Sequence, residues 1–489
     1  MLKNIFKIGN LKYVVAFLLP LVIILLYRRT LDNDTWFVLA EGRHILEKGI
    51  YYNDVLSMHD GLEIVVQQYG FAVIFWLIYS VFGSIGLYVM TILFNFLICF
   101  LVYKIAMLIS EKNINMSLFV VVLTDVFLSF IFIVTRAQVL SYVFILLTMY
   151  LLELYVKKKE KKYLYPIPLV SLLQINIHAS LWPMIILILG VYIVDSFKIP
   201  KLHLQGYKTR PLIITLIISA LIAFINPYGV KMLTFIFTSY GVNEIFELVS
   251  EMAPFDLRSL YNILVYGAIV TVILAYIFGK KKNIRVRYLL LFFGFLALSL
   301  NSVKGFSELF LVMFIPMALL FKDFQIKSKK VILFSKAAIM WSFVIVFGAV
   351  GICGCLVLSR LSDAPSEVMK EAVDAIDDKI GDREKSNLRI YTGYNDGGYL
   401  EFRGYKPYLD PRAEVFIKKN NGKEDILQEW IDFEKRLIEK NDFIDKYDFD
   451  YLFVSRKSDP AYELDEKKYD KIYEDEEAEV RVYERLENK

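Results

Sequence analysis

Two carboxylates one residue apart, Asp32 and Asp34 in Asp32-Asn33-Asp34-Thr35-Trp36-Phe37, are the first groups of this 489-residue chain placed for acid–base chemistry. A carboxylate can take the proton of an attacking hydroxyl. It can equally cap a helix by accepting free backbone N–H groups. Spacing alone leaves both roles open. Trp36, Leu39, Arg43 and Leu46 follow at helical intervals, which predicts an amphipathic helix lying on a membrane surface with both Asp at its start. Arg43 offers the two-pronged donor that suits a phosphate, and Asn53-Asp54 with Ser57 closes the same polar stretch.

Other candidates recur where apolar runs end. Arg136 follows one run, and Gln174-Ile175-Asn176-Ile177-His178 interrupts another. Asn226-Pro227-Tyr228-Gly229 closes a third, Glu244, Glu247 and Glu251 come after it, and Lys304 and Glu308 stand between two later runs. The variety is one-sided, because the opposite ends carry mainly Lys and Arg. Ionisable groups at membrane depth are costly and tend to face a cavity or a partner. A binding or active site on one membrane face is therefore expected. Further on, Asp396 in Tyr394-Asn395-Asp396-Gly397-Gly398 and the pair Asp410 and Arg412 read either as structural turns or as a loop touching that site. The four histidines lack metal-ligand spacing, and no Walker loop, GxGxxG or GxSxG is present, so nucleotide chemistry finds no support.

The elements that must position these groups follow from composition. The chain is 56% hydrophobic and 22% charged, against about 45–50% and about 25% for soluble domains. Residues 1–359 hold 32 Lys and Arg against 18 Asp and Glu, whereas residues 360–489 hold 24 against 34. This split excludes a single soluble domain, a disordered chain and a nucleic-acid binder with a basic face. It predicts a multi-span membrane domain over 1–359, with a large first outer loop at 28–69, and a soluble α/β domain over 360–489. About eleven spans are expected, near 11–27, 70–103, 116–134, 137–156, 163–179, 180–197, 211–227, 260–279, 286–301, 306–321 and 337–357. The second is too long for one crossing, and Gln68 to Phe82 is expected along the outer interface. The fifth and sixth meet at a polar kink. Lys157 to Lys162, Lys280 to Arg287 and Lys322 to Lys336 mark the cytoplasmic side. The N-terminus is then inside and the acidic C-terminal domain outside. Cys99, Cys353 and Cys355 all fall within predicted spans.

In the C-terminal domain, helices are expected at Val368 to Ile380 and Ile426 to Lys440. Strands are expected at Arg389 to Thr392, Gly398 to Phe402, Pro407 to Leu409, Tyr451 to Ser455, Asp470 to Tyr473 and Val480 to Tyr483. The last two read as a hairpin, with Val480 to Tyr483 on the sheet edge.

Taken in order, Asp32-Asn33-Asp34-Thr35-Trp36-Phe37, Leu39-Ala40-Glu41-Gly42-Arg43, Asn53-Asp54 and Ser57 resemble the first outer loop of bacterial GT-C membrane glycosyltransferases. The protein O-mannosyltransferase and aminoarabinose transferase groups are the best-known members, and the nearer likeness is to an uncharacterised bacterial branch. Asn176 and His178, the Asn226 to Gly229 turn, Gly397-Gly398-Tyr399-Leu400, and Asp410 with Arg412 extend the resemblance. It implies a GT-C-like polytopic fold in a bacterial cytoplasmic membrane. It also implies transfer of a sugar from a polyprenyl-phosphate donor to a cell-envelope acceptor at the outer face. By position, Asp34 would be the catalytic carboxylate, with Asp32 second. Arg43, Asp54, Arg136, His178, Asn226, Tyr228, Glu251 and Lys304 would contact substrate, and Asp396, Asp410 and Arg412 would form the outer-domain loop. Membrane lipids are expected partners and nucleic acid is not; a divalent metal is compatible with the class but not required by it. A transporter or flippase, and a non-catalytic assembly or sensor protein, are the alternatives that the residues leave open.

Overall fold

A computed structural model describes residues 31–197, 207–239, 260–278, 285–300, 302–323, 350–356, 361–464 and 468–486, with isolated positions between 13 and 25 and residue 348. The larger part of the expected spans at 11–27 and 337–357 lies outside these residues, and Glu244, Glu247 and Glu251 lie wholly outside them. The chain forms two compact units. One comprises Met1–Arg29, Tyr88–Ile225 and Val249–Arg360, and the other Thr30–Leu87, Asn226–Leu248 and Leu361–Lys489. The residues expected as the first outer loop thus pack with C-terminal residues, whereas the sequence grouped them with the spans.

The first unit is helical. Leu, Ile, Val and Phe predominate along its described helices, as expected where the surroundings are apolar. Among the described residues, five helical stretches are long and apolar enough to cross a membrane: Tyr69–Ile109, Ile114–Ile131, Ala137–Lys158, Ala179–Ser196 and Val303–Leu320. Shorter apolar helices occupy Pro166–Ile177, Thr209–Ile222, Asn262–Phe278 and Val286–Ser299. Gly83 breaks Tyr69–Ile109 with φ +59°, ψ −159°, so that element is two helices. The break falls one residue beyond the interfacial segment anticipated at Gln68 to Phe82. His178, at φ −159° and ψ 90°, ends Pro166–Ile177 before the short turn Ala179–Leu181, which is the expected kink.

The second unit is built on a five-stranded sheet in the order β2-β1-β3-β5-β4. The strands are β1 (Arg389–Tyr391), β2 (Lys406–Pro407), β3 (Tyr451–Val454), β4 (Tyr469–Asp475) and β5 (Val480–Arg485). β1 runs parallel to β2 and β3, while β3–β5 and β4–β5 are antiparallel. The hairpin is as expected, but its outer member is β4. β5 pairs on both sides, and Val482 is fully buried. Glu367–Ile380 forms the first anticipated helix, started by the Ser366 hydroxyl accepting from the Met369 N–H. The second is broken: Ile426–Glu434 ends before Arg436, whose φ is +58°, and a new helix covers Lys440–Tyr447.

The expected strand at Gly398 to Phe402 is instead a short helix, Gly397–Phe402. Its start fits against the Asp410 turn because residue 397 lacks a side chain: a Cβ there would lie 2.0 Å from the Leu409 carbonyl oxygen. Backbone has to move to admit it. Gly397→Ala is expected to lose about 1–3 kcal/mol or more of stability, read as a lowered Tm of the purified protein. An unchanged Tm would show that this packing is dispensable.

Candidate active site

Asp34–Lys48 is the helix predicted from Trp36, Leu39, Arg43 and Leu46. Its start separates the two carboxylates. Asp32 Oδ1 accepts the Asp34 N–H at 3.1 Å, and the Asp32 carbonyl accepts the Thr35 N–H at 3.0 Å, so Asp32 serves the helix end. Asp34 stands in the first turn with its side chain partly exposed.

The helix is not an open amphipathic surface. Trp36 and Leu39 are fully buried, and Trp36 stands edge-on to Tyr399 at 5.3 Å and packs on Phe402 at 5.2 Å. Gly42 faces the next helix, where a Cβ would meet the Ala72 oxygen at 2.1 Å. Arg43 donates to the carbonyls of Glu401 (3.2 Å) and Phe402 (2.9 Å) and lies over the Trp76 ring. Cations favour the carbonyl end of a helix, and Arg43 serves the end of Gly397–Phe402 in this way. Its resting partners are therefore backbone oxygens and aromatic faces.

Below this helix lies the strongest charge cluster of the unit. Arg412 Nε and Nη2 bind Asp410, Nη1 binds Asp54 at 2.8 Å, and Nη2 binds Glu401 at 2.7 Å. All four side chains are nearly or completely buried. Burial opposes the Arg412 charge, but Asp410, Asp54 and Glu401 hold its pKa well above the ordinary value. Burial alone would raise the Asp54 pKa. The Arg412 charge and hydrogen bonds from Ser57 and Arg412 together outweigh it and leave Asp54 below the usual range. For Glu401 burial wins, and its pKa is raised. The structure thus brings Asp54, Asp410 and Arg412 together, as an internal tie between the first loop and the C-terminal segment.

Glu41 sits beside this cluster and was not singled out by spacing. It is 2% exposed, its Oε2 has no hydrogen-bond partner among the described residues, and burial pushes its pKa up to about 8. A protonated carboxyl there meets an ordinary carboxylate in the unfolded chain. Stability from this group is therefore complete below pH ~4.5 and falls as pH rises towards 8, at about 1.4 kcal/mol per unit. Glu41→Gln is expected to flatten that dependence, raising Tm relative to the parental protein more at pH 8 than at pH 5. Parallel Tm–pH curves would refute it.

Asn226 and Tyr228 form a second tie. The Asn226 Oδ1 accepts the Tyr228 N–H at 2.9 Å, and the Tyr228 hydroxyl donates to the Tyr51 carbonyl at 3.0 Å. Asp396 accepts from the Ser455 hydroxyl at 2.6 Å; burial raises its pKa to about 6 against that bond.

In the helical unit, His178 is buried between two hydroxyls, with Nδ1 3.0 Å from Ser141 Oγ and Nε2 2.8 Å from Ser180 Oγ. Gln174 donates to Ser141 Oγ and to the His178 carbonyl. Arg136 immediately precedes Ala137–Lys158 without a side-chain cap, and Lys304 lies in the turn Val303–Gly305; both side chains are partly exposed. Glu251 lies outside the described residues.

The chain has the GT-C type of fold, the class to which its solved neighbours belong. Two crystal structures of the Archaeoglobus fulgidus oligosaccharyltransferase match it. One, tethered to an acceptor peptide containing the NVT sequon, gives a TM-score of 0.54 at 10% identity, covering 92% of this chain and 69% of that one. The other, a complex with Zn and sulfate, gives 0.53 at 12% identity, covering 90% and 68%. At this identity the likeness establishes fold. No protein-family model matches the sequence, and no curated protein is significantly similar. Among the described residues, no group of three His, Cys, Asp or Glu side chains is arranged to hold a metal ion. The clustered carboxylates Asp54, Glu401 and Asp410 hold a guanidinium instead, so no step is assigned to a metal.

Proposed function

We propose that this chain is a membrane glycosyltransferase of the GT-C class that moves a sugar from a polyprenyl-phosphate-linked donor to a cell-envelope acceptor, at the outer face of a bacterial cytoplasmic membrane. The fold likeness to oligosaccharyltransferases supports the class. The observation that supports the chemistry is the start of the first helix, where Asp32 and Asp34 both stand partly exposed and Asp32 also accepts a backbone N–H. In this reading the acceptor hydroxyl loses its proton to Asp34 as its oxygen bonds to the anomeric carbon. The bond from that carbon to the phosphate oxygen breaks, and the lipid phosphate leaves with the electron pair. Arg136 and Lys304 are proposed as cationic contacts for phosphate. Asp54, Asp410, Arg412, Asn226 and Tyr228 act by holding the unit around Asp34 together.

The test is reconstitution into vesicles with polyprenyl-phosphate sugars as donors. Protein-dependent consumption of one donor, with release of the free carrier phosphate, is the expected result. Movement of an intact donor across the bilayer without cleavage would make the chain a flippase.

A further inference from the structure

Away from these residues, the helical unit contains a polar cavity of about 300 Å³ among helix ends. Five cationic side chains line it: Lys157, Lys159, Arg285, Arg287 and Lys322, against two carboxylates, Glu111 and Glu153. The carboxylates are already engaged. Glu153 takes a two-pronged contact from Arg287, at 2.8 and 3.0 Å, and also accepts from the hydroxyls of Tyr192 and Tyr288. Arg287 reaches Asp195 as well, at 3.1 Å, and Tyr207 steadies that carboxylate. Glu111 pairs with Lys322. Even with Asp195 counted, cations exceed carboxylates by two. The wall behind the cavity is buried and tied by these ion pairs and hydroxyl contacts, while Lys157 and Lys159 stand at its exposed rim.

Its position matters as much as its charge. Ala137–Lys158 runs from Arg136 to this cavity, and Ser141, the partner of His178, lies near its other end. At about 1.5 Å per residue, Ser141 and Glu153 are roughly 18 Å apart along the helix. The cavity therefore opens at the lysine-rich end of the helices, where a spanning helix meets lipid headgroups. Basic pockets between helices at this level suit phosphate-bearing headgroups.

We propose that this cavity binds the phosphate of an anionic phospholipid headgroup. The assignment rests on the helices being membrane spans and is independent of the transferase reaction. Lys157 and Lys159 make the rim contacts; Arg285 and Lys322 face the phosphate from the remaining helix ends. Arg287, held by Glu153 and Asp195, fixes the floor.

The full-length protein in neutral detergent is titrated with phosphatidylglycerol, with phosphatidylcholine and with sodium pyrophosphate, reading Tm and lipid adducts by native mass spectrometry. Phosphatidylglycerol is expected to raise Tm and leave an adduct, and phosphatidylcholine to do neither. At about 1 kcal/mol per lysine near a headgroup, K157Q/K159Q should weaken phosphatidylglycerol binding roughly thirtyfold. Lys161 and Lys162 belong to the same basic run but do not line the cavity, so K161Q/K162Q should bind as the parent does. Equal response to both lipids, or an equal loss in K161Q/K162Q, would overturn the site. A Tm rise with pyrophosphate alone would assign the cavity to a soluble phosphate and overturn the lipid.

Discussion

Asp34→Asn is expected to lower sugar transfer by the folded protein by about 10²–10⁴-fold, the range for loss of a positioned general base. The helix start makes this a sharp test. Asp32 accepts the backbone N–H of residue 34, and asparagine can do the same, so Asp32→Asn should keep both stability and transfer. Asp32→Ala removes the acceptor and should cost about 1 kcal/mol of stability, while folded protein still transfers sugar. A reversed pattern, with Asp32→Asn inactive and Asp34→Asn normal, would exchange the two roles. Parental rates in both Asn variants would remove the first loop from the chemistry.

Arg412→Gln has the largest expected effect on stability. It leaves Asp54, Glu401 and Asp410 buried around an uncharged side chain. Removing one member of such a set costs about 3–5 kcal/mol. The contribution of Asp54 to the pH dependence should change sign with it. In the parental protein Asp54 is held below its ordinary pKa, so its contribution is present at neutral pH and lost on acidification through that low value. In the variant, burial without the guanidinium raises the carboxyl pKa, and stability is lost as pH rises. The Tm deficit should therefore be large at pH 8 and smaller at pH 5. A deficit absent at pH 8 would mean that the cluster does not hold the unit.

What the sequence revealed about this region depended on how local the cause was. The helix at Asp34–Lys48 follows from four residues at helical spacing, and the hairpin of β4 and β5 from alternation broken by a turn. Which hairpin strand lies outside is decided by β3, from elsewhere in the chain, so alternation alone put the edge on the wrong member. Gly398 to Phe402 read as a strand because Tyr399, Leu400 and Phe402 are good strand formers. The tight seat of Gly397 on the Leu409 carbonyl belongs to a helix start instead. Ile426 to Lys440 read as one helix because its apolar spacing is regular through Ile431 and Phe433, and nothing local announces the left-handed turn at Arg436. Glu41 and Glu401 were passed over for the same reason. A glutamate in a helix looks solvent-facing until the distant Arg412 is brought beside it. The surface helix expected at Trp36 is a buried one because Tyr399 and Phe402 cover it.

The Asp54–Arg412 pair joins residues 358 positions apart. At about 5–20 residues per second of synthesis, the first loop waits roughly 20–70 s for its guanidinium. During that interval Trp36 has no Tyr399 to pack against, and Asp54 has no counter-charge. A nascent chain of this protein therefore carries an unfinished early segment until the residues around Arg412 have been made. Premature termination after residue 360 would leave the apolar helices intact and the unit around Asp34 without its core.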